Sequence, residues 1–245
     1  IALVHGGGVE VYIRMLIEHT YKNYDTVLIC ASEYGKELLP EDSCTVYNVD
    51  VPREISVSAD LKAALKIRKI IKKEKPNVLY CHSSMAGAIG RIAVMGLRCK
   101  VIYNPHGWSF DMDVSYKKKM FYRFLEKVLA MTTDKIVTIS EYEKRIALKN
   151  KICNESKIEV ILNGIDLDKC KSTKAERSEL GYREKDFIIG CAARLSDQKD
   201  PLLFADVAGY IAKKYPDTRF VWVGDGELME DFITALKKNN VLDKT

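Results

Sequence analysis

The 245-residue chain lacks a long apolar run, and this absence excludes one class of protein. No segment approaches the roughly 18 consecutive apolar residues that a membrane-spanning helix needs. The chain also lacks internal repeats and low-complexity tracts, and we expect no secretory leader. Its composition of 47% hydrophobic and 30% charged residues is typical of a soluble globular protein. Its length predicts two domains.

The cysteines and histidines follow no metal-binding pattern. The seven cysteines form no CxxC pair and are dispersed along the chain. This distribution predicts reduced thiols and a cytoplasmic location. The four histidines show no ligand spacing either, so we predict no zinc site.

Strand-like apolar runs alternate with amphipathic segments of helical length along almost the whole chain. The alternation predicts an α/β fold with doubly wound, mostly parallel sheets. Continuous apolar runs suit strands that are buried on both faces. We predict strands at 1–5, 26–31, 77–82, 100–104, 135–139, 157–162, 187–192 and 219–224. We predict helices at 9–20, 59–75, 85–97, 115–130, 141–150, 172–180, 200–214 and 227–238.

The segment Asn163-Gly164-Ile165-Asp166 marks a predicted domain boundary. Asn-Gly is a turn signal, and the charge balance changes sign at this point. Residues 1–165 carry 25 Lys and Arg against 19 Asp and Glu, whereas residues 166–245 carry 14 against 15. We therefore predict one domain at 1–165 and a second at 166–245. The second domain holds only two strong strands, so we expect it to be incomplete in this chain.

Two predicted helices are rich in lysine. The first carries Lys62, Lys66, Lys69 and Lys73 on one face, and the second opens with Lys117-Lys118-Lys119. In the second helix one face is shared by Phe121, Phe124, Leu125, Val128 and Leu129. Each helix is either a solvated charged face over a core stripe or a docking site for an anionic membrane surface. At such a surface each basic residue contributes about 1 kcal/mol. No nucleic-acid-binding module is present, so we expect no nucleic-acid partner.

The loop after the strand at 187–192 has the features of an anion site. It carries Arg194 and Lys199, and it leads to a helix with Asp200 as predicted N-cap and Pro201 at the first helical position. Two cations, backbone donors and a helix dipole converge there. The loop therefore suits a ligand with two or more negative charges, such as a sugar nucleotide diphosphate. An ordinary strand–helix loop with solvated cations is the alternative.

Glycines stand at two further strand–helix turns. At Gly7 and Gly8 the backbone amides can approach a phosphate without interference from side chains. Gly224 leaves room for a flat base or ribose next to the backbone. The alternatives are a flexible turn at Gly7 and Gly8 and a tight strand–helix turn at Gly224.

Histidines stand at the ends of two predicted strands. His106 follows the strand at 100–104, where doubly wound sheets bind ligands, and it could hydrogen-bond a sugar hydroxyl or a developing charge. The alternative is a loop histidine stacked on Trp108. His82 also ends a strand, but we interpret the helix after it, capped by Ser83 or Ser84, as mainly structural.

The ordered set of motifs resembles the family 4 glycosyltransferases, which have the GT-B architecture of two Rossmann-like domains. The form His106-Gly107-Trp108-Ser109-Phe110 is similar to members that assemble bacterial capsular or other surface polysaccharides. The other matching motifs are Gly7-Gly8-Val9-Glu10, Ile139-Ser140-Glu141, Asn163-Gly164-Ile165-Asp166, Ala193-Arg194-Leu195 to Lys199, and Val223-Gly224-Asp225-Gly226-Glu227. Together they cover nearly the whole chain.

The resemblance implies transfer of a sugar from a nucleotide-diphosphate sugar to a lipid-linked or saccharide acceptor, with retention at the anomeric carbon. The domain at 1–165 would lie on the acceptor side, and the domain at 166–245 would bind the nucleotide sugar. Arg194 and Lys199 would bind the donor diphosphate, and Gly224 would lie near the base. In the first domain the phosphates would face Gly7 and Gly8.

The resemblance also implies that His106 is catalytic and contacts the donor sugar near the reacting centre. Family members usually need no metal, so the nucleotide sugar is a co-substrate and no cofactor is expected. The segment Asp111-Met112-Asp113 matches the DxD pattern that other sugar transferases use to hold a metal, but three letters in a polar loop are common by chance. We therefore assign no metal ligand.

Two other functions remain open. A nucleotide-sugar epimerase of the same architecture would place additional carboxylates and histidines in the first domain. A non-catalytic module that binds an acceptor or a membrane would bind no nucleotide. In each case we expect a cytoplasmic protein, peripheral on the inner face of the membrane if the lysine-rich helices dock there.

Overall fold

A computed structural model describes residues 1, 7–32, 39–50, 56–167 and 177–245. The chain forms two compact units, Ile1–Cys170 and Lys171–Thr245. Every strand pair in the described residues is parallel, and helices lie between most consecutive strands. The predicted α/β fold with parallel sheets is therefore confirmed.

The first unit begins with Ile1, whose backbone carbonyl accepts a hydrogen bond from the amide of His82. Its strands are β1 (Val27–Cys30), β2 (Thr45–Asn48), β3 (Val78–His82), β4 (Lys100–Asn104), β5 (Lys135–Thr138) and β6 (Ile158–Val160). Its helices are α1 (Gly8–Thr20), α2 (Val57–Glu74), α3 (Ser84–Val94), α4 (Tyr116–Ala130) and α5 (Glu141–Lys149). Strand β1 pairs with β2, and β3 to β6 follow one another in a four-stranded sheet.

The second unit contains β7 (Phe187–Ala192), α6 (Pro201–Lys214), β8 (Thr218–Val223) and α7 (Met229–Lys238). Its two strands pair in register over six residues. Four aromatic rings, those of Phe204, Phe220, Trp222 and Phe232, pack together between the strands and the helices. Two strands are all that this unit holds in its described residues.

The predicted elements match the observed ones to within a few residues, with three exceptions. The sequence did not predict β2. Residues 2–5 of the predicted first strand and residues 172–176 of a predicted helix lie outside the described residues. The rest of that helix, Arg177–Leu180, is a 3-10 turn.

Helix α3 packs closely on the sheet because glycine faces it. A Cβ atom on Gly87 would lie 2.2 Å from the Tyr103 ring, and one on Gly90 would lie 2.6 Å from Sγ of Cys81. This close packing agrees with the structural interpretation of the helix. Ser83 is the N-cap, as predicted, but its hydroxyl makes no capping hydrogen bond.

Helix α4 buries only part of the predicted core stripe, since Leu129 is buried and most of the other stripe residues are not. Phe121, Phe124 and Val128 are exposed, with 52%, 66% and 40% of their surface in solvent. The helix instead buries Glu126, which accepts hydrogen bonds from the Arg91 guanidinium at 2.9 Å and from the Tyr103 hydroxyl at 2.8 Å. A charged partner on α3 therefore decides which face of α4 points inward.

Candidate functional site

The carboxyl ends of β3 and β4 bring two histidines into contact. His82 is the last residue of β3, and His106 lies just beyond the end of β4. The Nδ1 atom of His82 lies 3.1 Å from Nε2 of His106, which is a hydrogen bond. The ring of Tyr12, from α1, packs edge-on against His106, and the ring of Tyr80 lies against His82. We call these four residues the histidine cluster.

Burial keeps both imidazoles of the histidine cluster neutral. The pKa of His82 lies well below its ordinary value, because desolvation penalises the charged ring. Desolvation also lowers the pKa of His106 to about 4. At pH 7 each ring therefore carries a single N–H hydrogen, and the pair makes a hydrogen bond between neutral groups.

Buried hydrogen bonds fix the backbone at His106. Its φ angle is +50°, in the left-handed region that non-glycine residues rarely adopt. The His106 amide donates to Oδ1 of Asn104 at 3.0 Å, and the Asn104 carbonyl accepts from the Ser83 amide at 2.9 Å. Asn104 is fully buried.

The loop after His106 is anchored to α5 through Trp108. The indole N–H of Trp108 donates to the Glu143 carbonyl at 3.0 Å, and the ring stacks on Phe110. Glu143 in turn accepts from the Ile139 amide, and its own amide donates to the Ser140 hydroxyl at the start of α5. The ring of His106 instead packs against those of Tyr12 and His82. The alternative in which His106 stacks on Trp108 is therefore wrong.

Gly7 and Gly8 open α1, the helix that also carries Tyr12. Gly7 is the N-cap, with a φ of 78° and a ψ of −169° that favour glycine. Among the described residues, a Cβ atom on Gly8 would meet nothing within 4 Å. The predicted approach of a phosphate to this turn stays a prediction.

A shallow groove borders the same helix. It has a volume of about 250 Å³. Its lining residues are Tyr12, Met15, Leu16, His19, Gly164, Ile165 and Asp166. Tyr12 thus belongs both to this groove and to the histidine cluster.

In the second unit, the loop Ala193–Lys199, which we call the arginine loop, is fixed against the loop after β8. The amide of Leu195 donates to the Asp225 carbonyl at 2.9 Å, and the Leu195 carbonyl accepts from Leu228 at 3.1 Å. The side chain of Arg194 is exposed, and across the described part of the chain it makes no ion pair. An exposed cation thus stands on a hydrogen-bonded backbone.

The structure requires glycine at position 224 for a different reason from the predicted one. A Cβ atom there would lie 2.1 Å from the Ala193 carbonyl oxygen, and φ is +144°. The space in front of Gly224 is therefore filled by the arginine loop and not left open for a base. Gly226 is similar, because its Cβ would lie 2.2 Å from the Leu195 carbonyl oxygen.

The N-terminus of α6 has the predicted capping residues but is less suited to an anion than predicted. Asp200 is the N-cap and Pro201 follows it, and Oδ1 of Asp200 accepts from the Leu203 amide at 3.1 Å. One of the expected helix donors is therefore already bound by a negatively charged side chain. Lys199 precedes this cap and is exposed.

The predicted site residues form two groups. In the first unit, α1 brings Gly7 and Gly8 to within about one turn of Tyr12, which contacts His106. In the second unit, Gly224 touches the arginine loop directly. Sequence reasoning missed the roles of His82 and Asn104. The signal was present, since both residues end neighbouring parallel strands, whose carboxyl ends meet at one edge of the sheet.

A family model decides the classification. The model of glycosyltransferase family 4 matches residues 6–169. The chain belongs to glycosyltransferase family 4. The match includes the glycines at the start of α1 and the whole histidine cluster.

Relatives in this family act in the assembly of bacterial polysaccharides. The chain is 35% identical, over 86% of its length, to the Escherichia coli UDP-Gal:α-D-GlcNAc-diphosphoundecaprenol α-1,3-galactosyltransferase. It is 29% identical, over 73% of its length, to the Staphylococcus aureus capsular polysaccharide biosynthesis glycosyltransferase CapM. It covers 56% of the first relative and 48% of the second. The chain therefore spans about half the length of these family members.

The solved structure of Anabaena HepE in complex with UDP and glucose has the same fold. It is 19% identical and superposes with a TM-score of 0.70, over 97% of this chain and 64% of that one. This neighbour has GT-B Rossmann-like domains, so the predicted fold class is confirmed. No helix in the described ranges is both long and apolar enough to cross a bilayer.

Proposed function

We propose that the full-length protein is a retaining glycosyltransferase of bacterial surface polysaccharide synthesis. It would move a sugar from a nucleotide-diphosphate sugar to a lipid-linked or saccharide acceptor. The observation that carries this proposal is the arginine loop, where an exposed guanidinium without an ion-pair partner in the described residues stands on a hydrogen-bonded backbone. The likeness to an E. coli galactosyltransferase, whose name specifies a UDP-sugar donor and a lipid-linked acceptor, supports it.

Arg194 and Lys199 are proposed to bind the donor diphosphate. When the bond between the sugar and the diphosphate breaks, negative charge develops on the leaving group. A cation already in place stabilises that charge without reorganisation at the moment of reaction. The planar guanidinium also suits two phosphate oxygens at once. Gly224 contributes by allowing the loop to approach β8, which places Arg194.

His106 is proposed to contact the donor sugar, with Gly7 and Gly8 facing its phosphates. Because the His106 ring is neutral at pH 7, it offers a hydrogen bond to a hydroxyl rather than a positive charge. The backbone at Gly8 suits a phosphate, since no described residue would lie within 4 Å of a Cβ atom there. No metal or other cofactor is included in this proposal.

We propose further that α4 docks the protein on an anionic membrane surface. The helix exposes Phe121 and Phe124 beside Lys117, Lys118 and Lys127. Helices with an apolar aromatic face and flanking lysines lie in the interface of anionic bilayers. A lipid-linked acceptor is held at such a surface. Helix α2 is a weaker candidate, because the ammonium groups of its Lys66 and Lys73 bind Asn48 and Tyr47 of β2.

Nucleotide binding tests the transferase proposal. Calorimetric titration of the full-length protein with UDP, GDP, ADP and dTDP should reveal binding of at least one of them. The double substitution Arg194→Ala and Lys199→Ala should weaken that binding by at least about 100-fold, since charge-assisted hydrogen bonds contribute about 1.5–3 kcal/mol each.

The matched control is Lys237→Ala with Lys238→Ala, which removes the same charge from exposed positions on α7. Its affinity should equal that of the wild type. Unchanged binding in the Arg194 and Lys199 variant would refute the site, and no binding of any nucleotide would favour the non-catalytic module. Interconversion of a nucleotide sugar without any acceptor would favour the epimerase.

A further inference from the structure

The contact between His82 and His106 restricts the chemistry of His106. Its Nε2 atom is engaged with Nδ1 of His82 at 3.1 Å. A neutral imidazole carries its single hydrogen on one of two nitrogens. If Nε2 of His106 accepts the hydrogen bond, Nδ1 carries the hydrogen. If Nε2 donates it, Nδ1 is an acceptor. The hydrogen bond therefore couples the tautomers of the two histidines.

We propose that His82 is a positioning residue that fixes the tautomer of His106, so that Nδ1 of His106 presents one defined hydrogen-bonding state to the donor sugar. This inference rests on the proposed function, in which His106 contacts that sugar. His82 does not itself touch the ligand, because it is 3% exposed and lies behind His106. The fixed tautomer is neutral over the physiological pH range.

The surroundings hold both rings in place. The ring of Tyr80 lies 4.1 Å from that of His82, and Tyr12 packs against both imidazoles. The hydroxyls of the two tyrosines lie 3.3 Å apart. A ring flip of His82 would require this aromatic packing to open. The aromatic packing therefore holds the two imidazoles in a defined arrangement.

The backbone beneath the pair is equally constrained. Asn104 holds the His106 amide through Oδ1, in a left-handed conformation that few non-glycine residues adopt. Asn104 is itself fully buried. The backbone under the histidine pair is therefore held from within the first unit.

The tautomer is measurable directly. In the full-length protein labelled with ¹⁵N-histidine, the two nitrogen shifts of each neutral imidazole reveal which atom carries the hydrogen. We expect His106 of the wild type to show a single tautomer, and the spectrum of His106→Gln assigns its signals. The variant His82→Asn places an amide near the position of Nδ1 and should preserve the single tautomer. The variant His82→Gln places the amide one bond farther and should yield a mixture.

Kinetics then tests whether the tautomer matters. Loss of the hydrogen bond in His82→Gln should lower kcat by about ten-fold, which corresponds to about 1.4 kcal/mol, with little change in the KM for the donor. His82→Asn should restore most of the kcat. The control His19→Leu alters a histidine of α1 whose ring, among the described residues, hydrogen-bonds the Met15 carbonyl of its own helix. It should leave both the kcat and the His106 spectrum unchanged.

The two proposals fail in different ways. A mixed His106 tautomer in the wild type, or the same single tautomer in His82→Gln, overturns the positioning role whatever the activity. Loss of the single tautomer in His82→Gln without a change in kcat also overturns the positioning role, because the tautomer of His106 would then not affect the reaction. Absence of sugar transfer in the wild type refutes the proposed function, and the spectra still decide whether His82 fixes the tautomer.

Discussion

At the scale of single residues, Gly224 links the fold to the proposed donor site. The backbone of the arginine loop occupies the space that a side chain at this position would need, since a Cβ atom would lie 2.1 Å from the Ala193 carbonyl oxygen. The hydrogen bonds that fix Arg194 run between the same two loops. A change at Gly224 should therefore affect stability and nucleotide affinity together.

We expect Gly224→Ala to lower the free energy of unfolding by about 2–3 kcal/mol, because strain at a positive φ adds to a backbone clash. Gly181→Ala is the matched control. Its φ is also positive, at +77°, but its Cβ would meet nothing within 4 Å, so we expect a loss of about 1 kcal/mol. Urea denaturation of both variants measures the difference. Equal losses would contradict the role of the close approach.

The sequence identified Gly224 and the other site residues but not the reasons for all of them. A glycine after a strand indicates a backbone constraint, yet the neighbour that imposes it comes from another loop. The same limit applies to His82, since the spacing of His82 and His106 along the chain does not reveal a contact of 3.1 Å. Asp200 as N-cap was predictable because capping is local.

At the scale of elements, the ion pair between Arg91 and Glu126 joins α3 to α4. Both side chains are buried, and the guanidinium also donates to the Gly87 carbonyl and lies over the Tyr103 ring at 3.8 Å. Buried charges are tolerated only when they are paired and hydrogen-bonded. Removal of one partner leaves the other without compensation.

We therefore expect Glu126→Ala to lower the free energy of unfolding by about 3–5 kcal/mol. Lys127→Ala alters the neighbouring, exposed position and should change it by less than about 0.5 kcal/mol. Denaturant titration followed by circular dichroism measures both. A loss in Glu126→Ala as small as that of the control would mean that the ion pair does not hold α4.

Hydrophobic periodicity predicted where α4 lies in the sequence but not how it is rotated. The pattern placed Phe121, Phe124 and Val128 on one face, which is correct, and assigned that face to the core as one of two alternatives. Periodicity shows which residues share a face and not which face is buried. The rotation depends on Arg91, which is distant in sequence. Strand β2 was missed because its four residues, Thr45–Asn48, are only partly buried and carry a weak apolar signal.

At the scale of the whole molecule, positive charge and exposed aromatic rings coincide on α4. The first 165 residues hold the excess of Lys and Arg, and this helix adds apolar side chains next to its lysines. Electrostatic attraction weakens with salt because of screening, whereas insertion of apolar side chains does not. The two contributions to membrane binding are therefore separable.

We expect the full-length protein to co-sediment with vesicles that contain phosphatidylglycerol. Lys117→Gln with Lys118→Gln should weaken binding at low salt, by about 1 kcal/mol per residue. Phe121→Ser with Phe124→Ser should remove the binding that persists at high salt. Tyr210→Ser changes an aromatic residue of α6 that is 72% exposed and serves as control. Binding that is equal in all variants would refute docking through α4.

The topology of the whole chain was the most predictable property. Alternation of strands and helices fixes parallel pairing, because parallel neighbours need a crossover between them. The predicted roles of 1–165 as the acceptor side and 166–245 as the nucleotide-sugar side stay predictions. They depend on which ligand each unit binds, and a backbone pattern does not specify a ligand.

The buried Glu126 has a consequence for how the outer surface of the first unit can change. Its carboxylate opposes rotation of α4, since rotation would leave the buried Arg91 guanidinium without its ion-pair partner. Rotation of the helix therefore cannot bury the phenyl rings of Phe121 and Phe124. Loss of the exposed aromatic face therefore requires substitution of Phe121 and Phe124 themselves.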